Sequence, residues 1–418
     1  MTDEPGTGSY LTADQAAGEL GVSVSTLYAY VSRGLLASEP IPGSRSRRYA
    51  RREVERLKRR RRVRRDPSRA GEGSLAWGEP VVDSAVTLID GERLWYRGQD
   101  AVELADAASF EEVAALLWTG DREAAGELFA EPWPRLDGAA AQVAAKLGRA
   151  APIERCQAIL PLAGAADPSG WDLRPAAVTA SGVRILRLVT LLAAGVGEPP
   201  DGEDGRPGGV AATLAAGWGV DAPQAVAAIE QTLVLCADHE LNVSAFTARC
   251  VASAAGSPYD AVAAALAAIK GARHGGLSER VEALLAEVGE RSRARRVLAD
   301  RLRRGEAVPG FGHPLYPAGD PRAARLLELA GKVAADRDRL DVVRAVVAAG
   351  RDLLGEEAVL DYGLVALRFA LDLPPGAPLA LFAVGRTAGW IGQAIEEYGR
   401  GELIRPRARY VGPAPEKE

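Results

Sequence analysis

The sequence holds three histidines, His239, His274 and His313, in the stretches "HELNVSAFTAR", "KGARHGGLSERV" and "GFGHPLYPAGDPRA". Imidazole is the side chain best suited to give or hold a proton near neutral pH. Gly275 and Gly276 follow His274 directly, and Gly310 and Gly312 come just before His313. Glycine beside a histidine removes bulk, so a ligand can approach both ring and backbone. His239 opens a run of Glu240, Leu241 and Asn242 that leads into a helical pattern with Phe246 and Arg249. One such histidine is more often a satisfied hydrogen-bonding residue than a catalyst. Three together argue for a shared polar site. On residue types alone, the reading is a polar site in an α protein.

The elements that must carry this site are mainly helices. Windows 138–148, 207–236, 259–270, 280–305, 321–355 and 361–373 place apolar residues at i, i+3 and i+4 and are rich in Ala and Leu. Strand-like alternation is confined to the start of the body, where Gly91 marks a turn and Ser109 caps a helix with Glu111 and Glu112 in its first turn. "SRAGEGS" after Pro67 reads as a linker, and "GEPPDGEDGRPGG", 197–209, as a surface loop. No run of about 18 apolar residues predicts a membrane span, and the polar N-terminus has no secretory h-region. Cys156, Cys236 and Cys250 show no CxxC spacing, which argues against structural zinc or a disulfide framework and for a reducing cytoplasm. There is no GxxxxGK[ST], since Val333 follows Gly331-Lys332, and no HExxH or GxSxG. Phosphate-loop hydrolases, zincins and α/β-hydrolases are disfavoured.

The net charge of −5 conceals an asymmetry: residues 1–70 carry fifteen Lys and Arg against eight Asp and Glu, so the head is +7 and the remainder −12. A basic head suits a polyanion. In "LTADQAAGELGVSVSTLYAYVSRGLL", Thr12 and Ser23 can cap two short helices around Gly21, a helix-turn-helix pattern. The second helix would offer Ser25, Thr26, Tyr28 and Tyr30 to a groove or backbone. "PIPGSRSRRY" reads as a wing in which Arg45, Arg47 and Arg48 supply phosphate contacts, and "ARREVERLKRRRRVRRD" as a basic helix. The alternative is a solvated linker or dimer strut. The region resembles the winged helix-turn-helix of MerR-type regulators and excisionases.

The body resembles the citrate synthase family. The histidine stretches, together with "VLDYGLVALRFALDLP" and "LFAVGRTAGWIGQAIEEYGRGELIRPRARYVG", match that family's blocks in order and approximate spacing. "DSAVTLIDGERLWYRGQDAVELA" and "FEEVAALLWTGDRE" match its N-terminal blocks. The resemblance spans about residues 77–413. It implies a mainly α, two-domain helical fold behind the head: residues 1–66 for the head, 67–275 with 373–418 for a large domain, and 276–372 for a small one. It implies condensation of an acyl-CoA, acetyl-CoA first, with oxaloacetate, with the coenzyme A thioester as substrate and no cofactor or metal.

By the same resemblance Asp361 is the base, His274 the donor to the enolate oxygen and His313 the donor to the ketone. His239, Arg322, Arg386 and, from a second subunit, Arg405 would bind carboxylates, which implies a homodimer with a shared site. Taken by itself, Asp361 ahead of "YGLVALRF" reads as a helix N-cap. His274, ahead of a helix, should stay neutral through the helix dipole. The chain departs from the family where Pro317 and Ala318 replace a common basic residue, and Pro314 a frequent Arg. It departs again where Ser278 and Val359 replace Asn. These departures bear on the CoA site and leave the catalytic trio intact. Three other readings remain: a 2-methylcitrate synthase using propionyl-CoA, a transcriptional regulator whose inactive synthase body senses a metabolite, and an accessory subunit that pairs with another synthase chain.

Overall fold

A computed structural model of the chain describes residues 10–32, 35–40, 47–51, 54, 57, 82–148, 150–202, 208–334, 337–408 and 410–413. The chain forms two compact units, residues 1–83 with 407–418 and residues 84–406.

In the first unit Thr12 caps the helix Ala13–Leu20 in a reciprocal box with Gln15, and Gly21, at φ +60°, ends it. The second helix is Val24–Ser32, and Ser23 accepts the Thr26 backbone N–H at 3.3 Å. Strands Tyr10–Leu11, Glu39–Pro40 and Arg47–Ala50 pair antiparallel, with the last in the middle. Leu20, Leu27, Tyr49, Val54 and Leu57 form the apolar core. Two short helices against a small sheet make a winged helix-turn-helix. Tyr30, expected to face a groove, instead packs partly buried against this core.

The second unit opens with a hairpin, Thr87–Asp90 against Arg93–Tyr96. A two-residue strand, Gln99–Asp100, pairs antiparallel with the far side of Arg93–Tyr96, and the described elements after it are helical. Three of the expected windows are each split in two. The 207–236 window becomes Val210–Gly217 and Pro223–Cys236, with Gly219 at φ +74° between them. The 280–305 window breaks at Gly289 into Leu277–Val288 and Ala294–Arg303. The 321–355 window breaks into Pro321–Val333 and Arg337–Leu354. Part of the expected 197–209 loop, 203–207, lies outside the described residues. The helix Pro175–Ala194 is, against expectation, long and apolar enough to cross a bilayer, but most of it is buried in the fold. Its Arg184 reaches Asp167 at 2.8 Å and its Arg187 reaches the Phe129 carbonyl at 2.7 Å, so it is a core helix.

Two apolar cores fill this unit. The larger surrounds Ala377–Arg400, a helix buried along most of its length. The smaller draws its buried members from residues 281–370. The helix Leu360–Ala370 serves both: Leu360, Leu364 and Leu367 face the larger, and Tyr362, Val365 and Ala366 the smaller. Gly389 lets the long helix touch the chain leaving Pro223–Cys236, because a Cβ there would collide with the Ala237 carbonyl. The Gly389 N–H donates to that carbonyl at 2.9 Å.

A buried ion network ties the helix Val243–Ser253 to the long helix. Arg249 Nε donates to Glu397 Oε2 at 2.8 Å and Arg249 Nη1 to Gln393 Oε1 at 2.8 Å, with the Arg249 and Glu397 side chains fully buried. Removing one partner of such a pair strands a charge away from water. Arg249→Ala is therefore expected to cost about 3–5 kcal/mol, read as a lower urea midpoint. An unchanged midpoint would show that the network does not hold the helices.

Candidate active site

His239 follows the helix Pro223–Cys236, and the hairpin fixes this chain exit. Thr87 Oγ1 donates to Asp238 Oδ2 at 2.6 Å, and the Tyr96 hydroxyl lies 3.1 Å from the Val234 carbonyl. Asn242 caps the next helix, its Oδ1 accepting from the Ser244 and Ala245 N–H groups. Ser244 turns its hydroxyl inward. It lies 2.8 Å from His274 Nε2 and 2.7 Å from Asn242 Oδ1, and accepts from the Trp390 indole at 3.1 Å. The hydroxyl has one proton for two directions. Aimed at Asn242, it leaves the His274 proton on Nε2; aimed at His274, it leaves that proton on Nδ1.

His274 is not at a helix N-terminus as expected. It sits in the turn before Leu277–Val288, where its carbonyl accepts from Leu277 N–H at 2.9 Å. Burial, with Arg386 nearby, pushes its pKa down to about 3. Desolvation rather than a helix dipole keeps it neutral.

His313 follows Gly310, whose φ of +85° and ring contact exclude a side chain: a Cβ would lie 2.6 Å from Tyr362 Cε2. Leu315 N–H donates to His313 Nδ1 at 3.2 Å, which places the proton on Nε2. The His313 and His239 rings meet edge-on at 5.3 Å, and Tyr316 packs against both, its hydroxyl 3.0 Å from His239 Nε2. Burial holds His239 well below its usual value, reinforced by Arg322, Arg386, His313 and His274, which brings five of the expected residues into one electrostatic neighbourhood. Burial and Arg322 also lower His313.

Arg322 begins the helix Pro321–Val333 and forks onto Asp320, with Nε to Oδ1 at 2.9 Å and Nη2 to Oδ2 at 2.8 Å. Burial opposes the Arg322 charge, but Asp320 and Tyr316 outweigh it, so the guanidinium is held above its ordinary value. Asp320 Oδ2 also accepts the Leu360 N–H at 3.3 Å. This capping contact comes from across the fold, since the N-cap residue Val359 has no side-chain acceptor.

Asp361 is therefore not an N-cap but lies inside the first turn. Its carboxyl is buried, and its pKa rises to about 7 through burial, opposed by the Ser278 hydrogen bond and by Arg322. Arg386 is 1% exposed. Its Nε donates to the Cys236 carbonyl at 2.8 Å, while Nη1 and Nη2 are buried without a partner among the described residues. Burial lowers its pKa, and Asp238 offsets this.

His239, His274, His313, Arg322, Arg386 and Asp361 thus gather at one site. Arg405 does not join them within the chain: it is exposed in the segment after the long helix. Tyr316, Ser244 and Asp320 were not singled out by the sequence reading. Tyr316 lies three residues after His313, and Asp320 two before Arg322. Polar groups at such offsets in Gly- and Pro-rich loops were the available signal.

A family model described as "Citrate synthase, C-terminal domain" matches residues 75–407, four-fifths of the chain. The chain belongs to the citrate synthase family. It is 30% identical to citrate synthase 2 of Bacillus subtilis over 362 residues, 81% of this chain and 96% of that protein. It is 32% identical to 2-methylcitrate synthase of Mycobacterium tuberculosis over 334 residues, 76% and 84% of the two chains. The citrate synthase of Thermoplasma acidophilum, solved in ternary complex with carboxymethyl coenzyme A and oxaloacetate, shares the fold at TM-score 0.70 and 24% identity. That match covers 81% of this chain and 96% of that one. A helix-turn-helix model matches residues 10–62. The protein is a condensing transferase of the citrate synthase type behind a helix-turn-helix head.

With its pKa near 3, His274 is expected to give no titration shift in histidine NMR spectra between pH 5 and 8. Its depressed pKa also means that stability is fully present above the unfolded value of about 6.5 and is lost as pH falls toward about 3. A His274 resonance titrating near 6.5 would refute the buried, neutral imidazole.

Proposed function

We propose that the site condenses an acyl-CoA with oxaloacetate and then hydrolyses the thioester. Acetyl-CoA would give citrate, and propionyl-CoA 2-methylcitrate. The observation that carries this reading is Arg386, a buried guanidinium with two nitrogens unpartnered among the described residues, beside three neutral imidazoles. Unpaired buried donors of this kind are costly. A planar dicarboxylate meets them with paired charge-assisted hydrogen bonds. Arg322 Nη1, His239 and Arg405 from the second subunit of a homodimer complete the carboxylate cradle.

In this mechanism the Asp361 carboxylate removes the proton next to the thioester carbonyl. A pKa of about 7 makes it a stronger base than a solvated carboxylate while leaving it largely ionised just above neutrality. His274 donates through Nδ1 to the enolate oxygen when the Ser244 hydroxyl turns to Nε2. His313 donates Nε2–H to the ketone oxygen as it gains charge. Neutral donors suit this task because they stabilise developing charge without first trapping an anion in the ground state. The smaller apolar core, with buried members between residues 281 and 370, supports a small domain over 276–372 within the second unit. Free Cys156, Cys236 and Cys250 fit a cytoplasmic enzyme. The similarity to both a citrate and a 2-methylcitrate synthase leaves the acyl group to experiment, because one methylene changes pocket fit by only about 1–3 kcal/mol.

The head supports a second role, DNA binding, through its match at residues 10–62. Ser25 and Tyr28 are exposed on the second helix and Thr26 is half-buried. The Ser25 and Thr26 hydroxyls lie within 2.9 Å of Ser23 Oγ. The wing arginines are less free than their charge suggested. Arg47 donates to Ser38 at 2.7 Å, while Arg48 pairs with Glu39 at 3.0 Å and covers the Tyr10 ring. Arg45 lies outside the described residues.

Two measurements test these readings. Thiol release from acetyl-CoA and propionyl-CoA with oxaloacetate should fall by orders of magnitude in Asp361→Asn while oxaloacetate still binds. Equal turnover in both proteins would remove Asp361 from the base role. For the head, DNA affinity of the full-length protein should fall steeply with salt. Arg47→Ala with Arg48→Ala should flatten the log–log slope by roughly one unit per lost phosphate contact. Absence of DNA binding at low salt would leave the head a strut or protein-interaction module.

A further inference from the structure

Ser278 is the second residue of the helix Leu277–Val288, and it is 1% exposed. Its hydroxyl lies 2.7 Å from Asp361 Oδ1 and 3.2 Å from the Gly275 carbonyl. The hydroxyl has one proton, and the shorter contact to an ionised carboxylate is the stronger hydrogen bond. The same short segment leads back to the His274 turn, whose carbonyl accepts the Leu277 N–H at 2.9 Å. Three residues, Gly275, Gly276 and Leu277, therefore join the proposed enolate donor to the group that holds Asp361.

We propose that Ser278 is the positioning residue of the base: its hydroxyl holds Asp361 Oδ1 and so reserves Oδ2 as the oxygen that takes the substrate proton. This rests on the condensation reading. In the step itself the C–H bond next to the thioester breaks and its proton bonds to Asp361 Oδ2. The electron pair left behind forms the enolate, so the negative charge passes from carboxylate to enolate oxygen. The Ser278 bond is strongest while Asp361 is charged, so it keeps the base ionised against the pull of burial. The charged and titratable groups facing Asp361 are Arg322, which favours its anion, Asp320, which opposes it, and the neutral Cys236 and Tyr362. None of these grips Oδ1 as Ser278 does.

The test is Ser278→Ala in the full-length protein, followed by two readouts. The acid limb of the kcat profile should move up by about one pH unit. Below the new value the base is mostly protonated and idle, so kcat at neutrality should fall about fivefold, with KM for oxaloacetate changed less than about twofold. The Asp361 carboxyl titration, followed by carbon NMR, should move in the same direction. If both the limb and the titration stay in place, the proposal is overturned while the base assignment stands. If the wild type condenses neither acyl-CoA, the functional reading fails, and the carboxyl titration alone still decides whether Ser278 holds Asp361.

Discussion

One buried carboxylate, that of Asp320, orders the site. It caps the helix Pro321–Val333 through the Arg322 N–H, forks onto the Arg322 guanidinium, and accepts the Leu360 N–H at the head of the helix that carries Asp361. Neither charge of the Asp320–Arg322 pair could stay buried alone, since desolvating a single ion costs several kcal/mol or more. Each therefore fixes the other. Arg322 stands beside the Tyr316 ring, which packs on His239 and His313. A single ion pair thus registers the histidine side of the site against the helix that carries Asp361.

The same desolvation acts on every ionisable group here, with opposite consequences. It raises the Asp361 carboxyl and lowers the three imidazoles, because in each case it penalises the charged form. Two guanidiniums close by add to the effect on His239. The outcome is a division of labour without special chemistry. The Asp361 carboxyl is poised near neutrality, and the imidazoles are left uncharged. The backbone settles the orientation of His313 through Leu315 N–H, whereas a side-chain hydroxyl governs that of His274.

Much of this was legible in the sequence, for local reasons. Helical periodicity marks the helices, and the glycines around His274 and His313 mark the approach to them. Thr12 and Ser109 do cap the helices they precede. The helix breaks at Gly219 and Gly289 were hidden because apolar periodicity continues across them. The rest depends on contacts between distant residues. Tyr316 meets His239, Ser244 meets His274 and Asp320 meets Leu360 only once the chain has folded. Asp361 looked like a cap because a cap and a buried first-turn carboxyl share the same place before an apolar run. Ser278 entered only as a departure from a common Asn, and its partner emerges only in three dimensions. In the folded head Arg47 and Arg48 also meet Ser38 and Glu39, contacts that charge alone did not foretell.

The helix Leu360–Ala370 has an apolar stripe in each core, and all of Leu360 to Leu367 is buried. No face of its first two turns is left to solvent, so hardly any position there is free to drift. In the proposed mechanism, packing and proton transfer make demands on the same few residues. A lineage abandoning the chemistry would still have to keep the helix almost unchanged, and the neighbours of Asp361 would outlast any need for it. Decay of such an enzyme into a silent scaffold would begin at the polar side chains alone, Asp361 and Ser278 first, and leave the surrounding apolar pattern as its fossil.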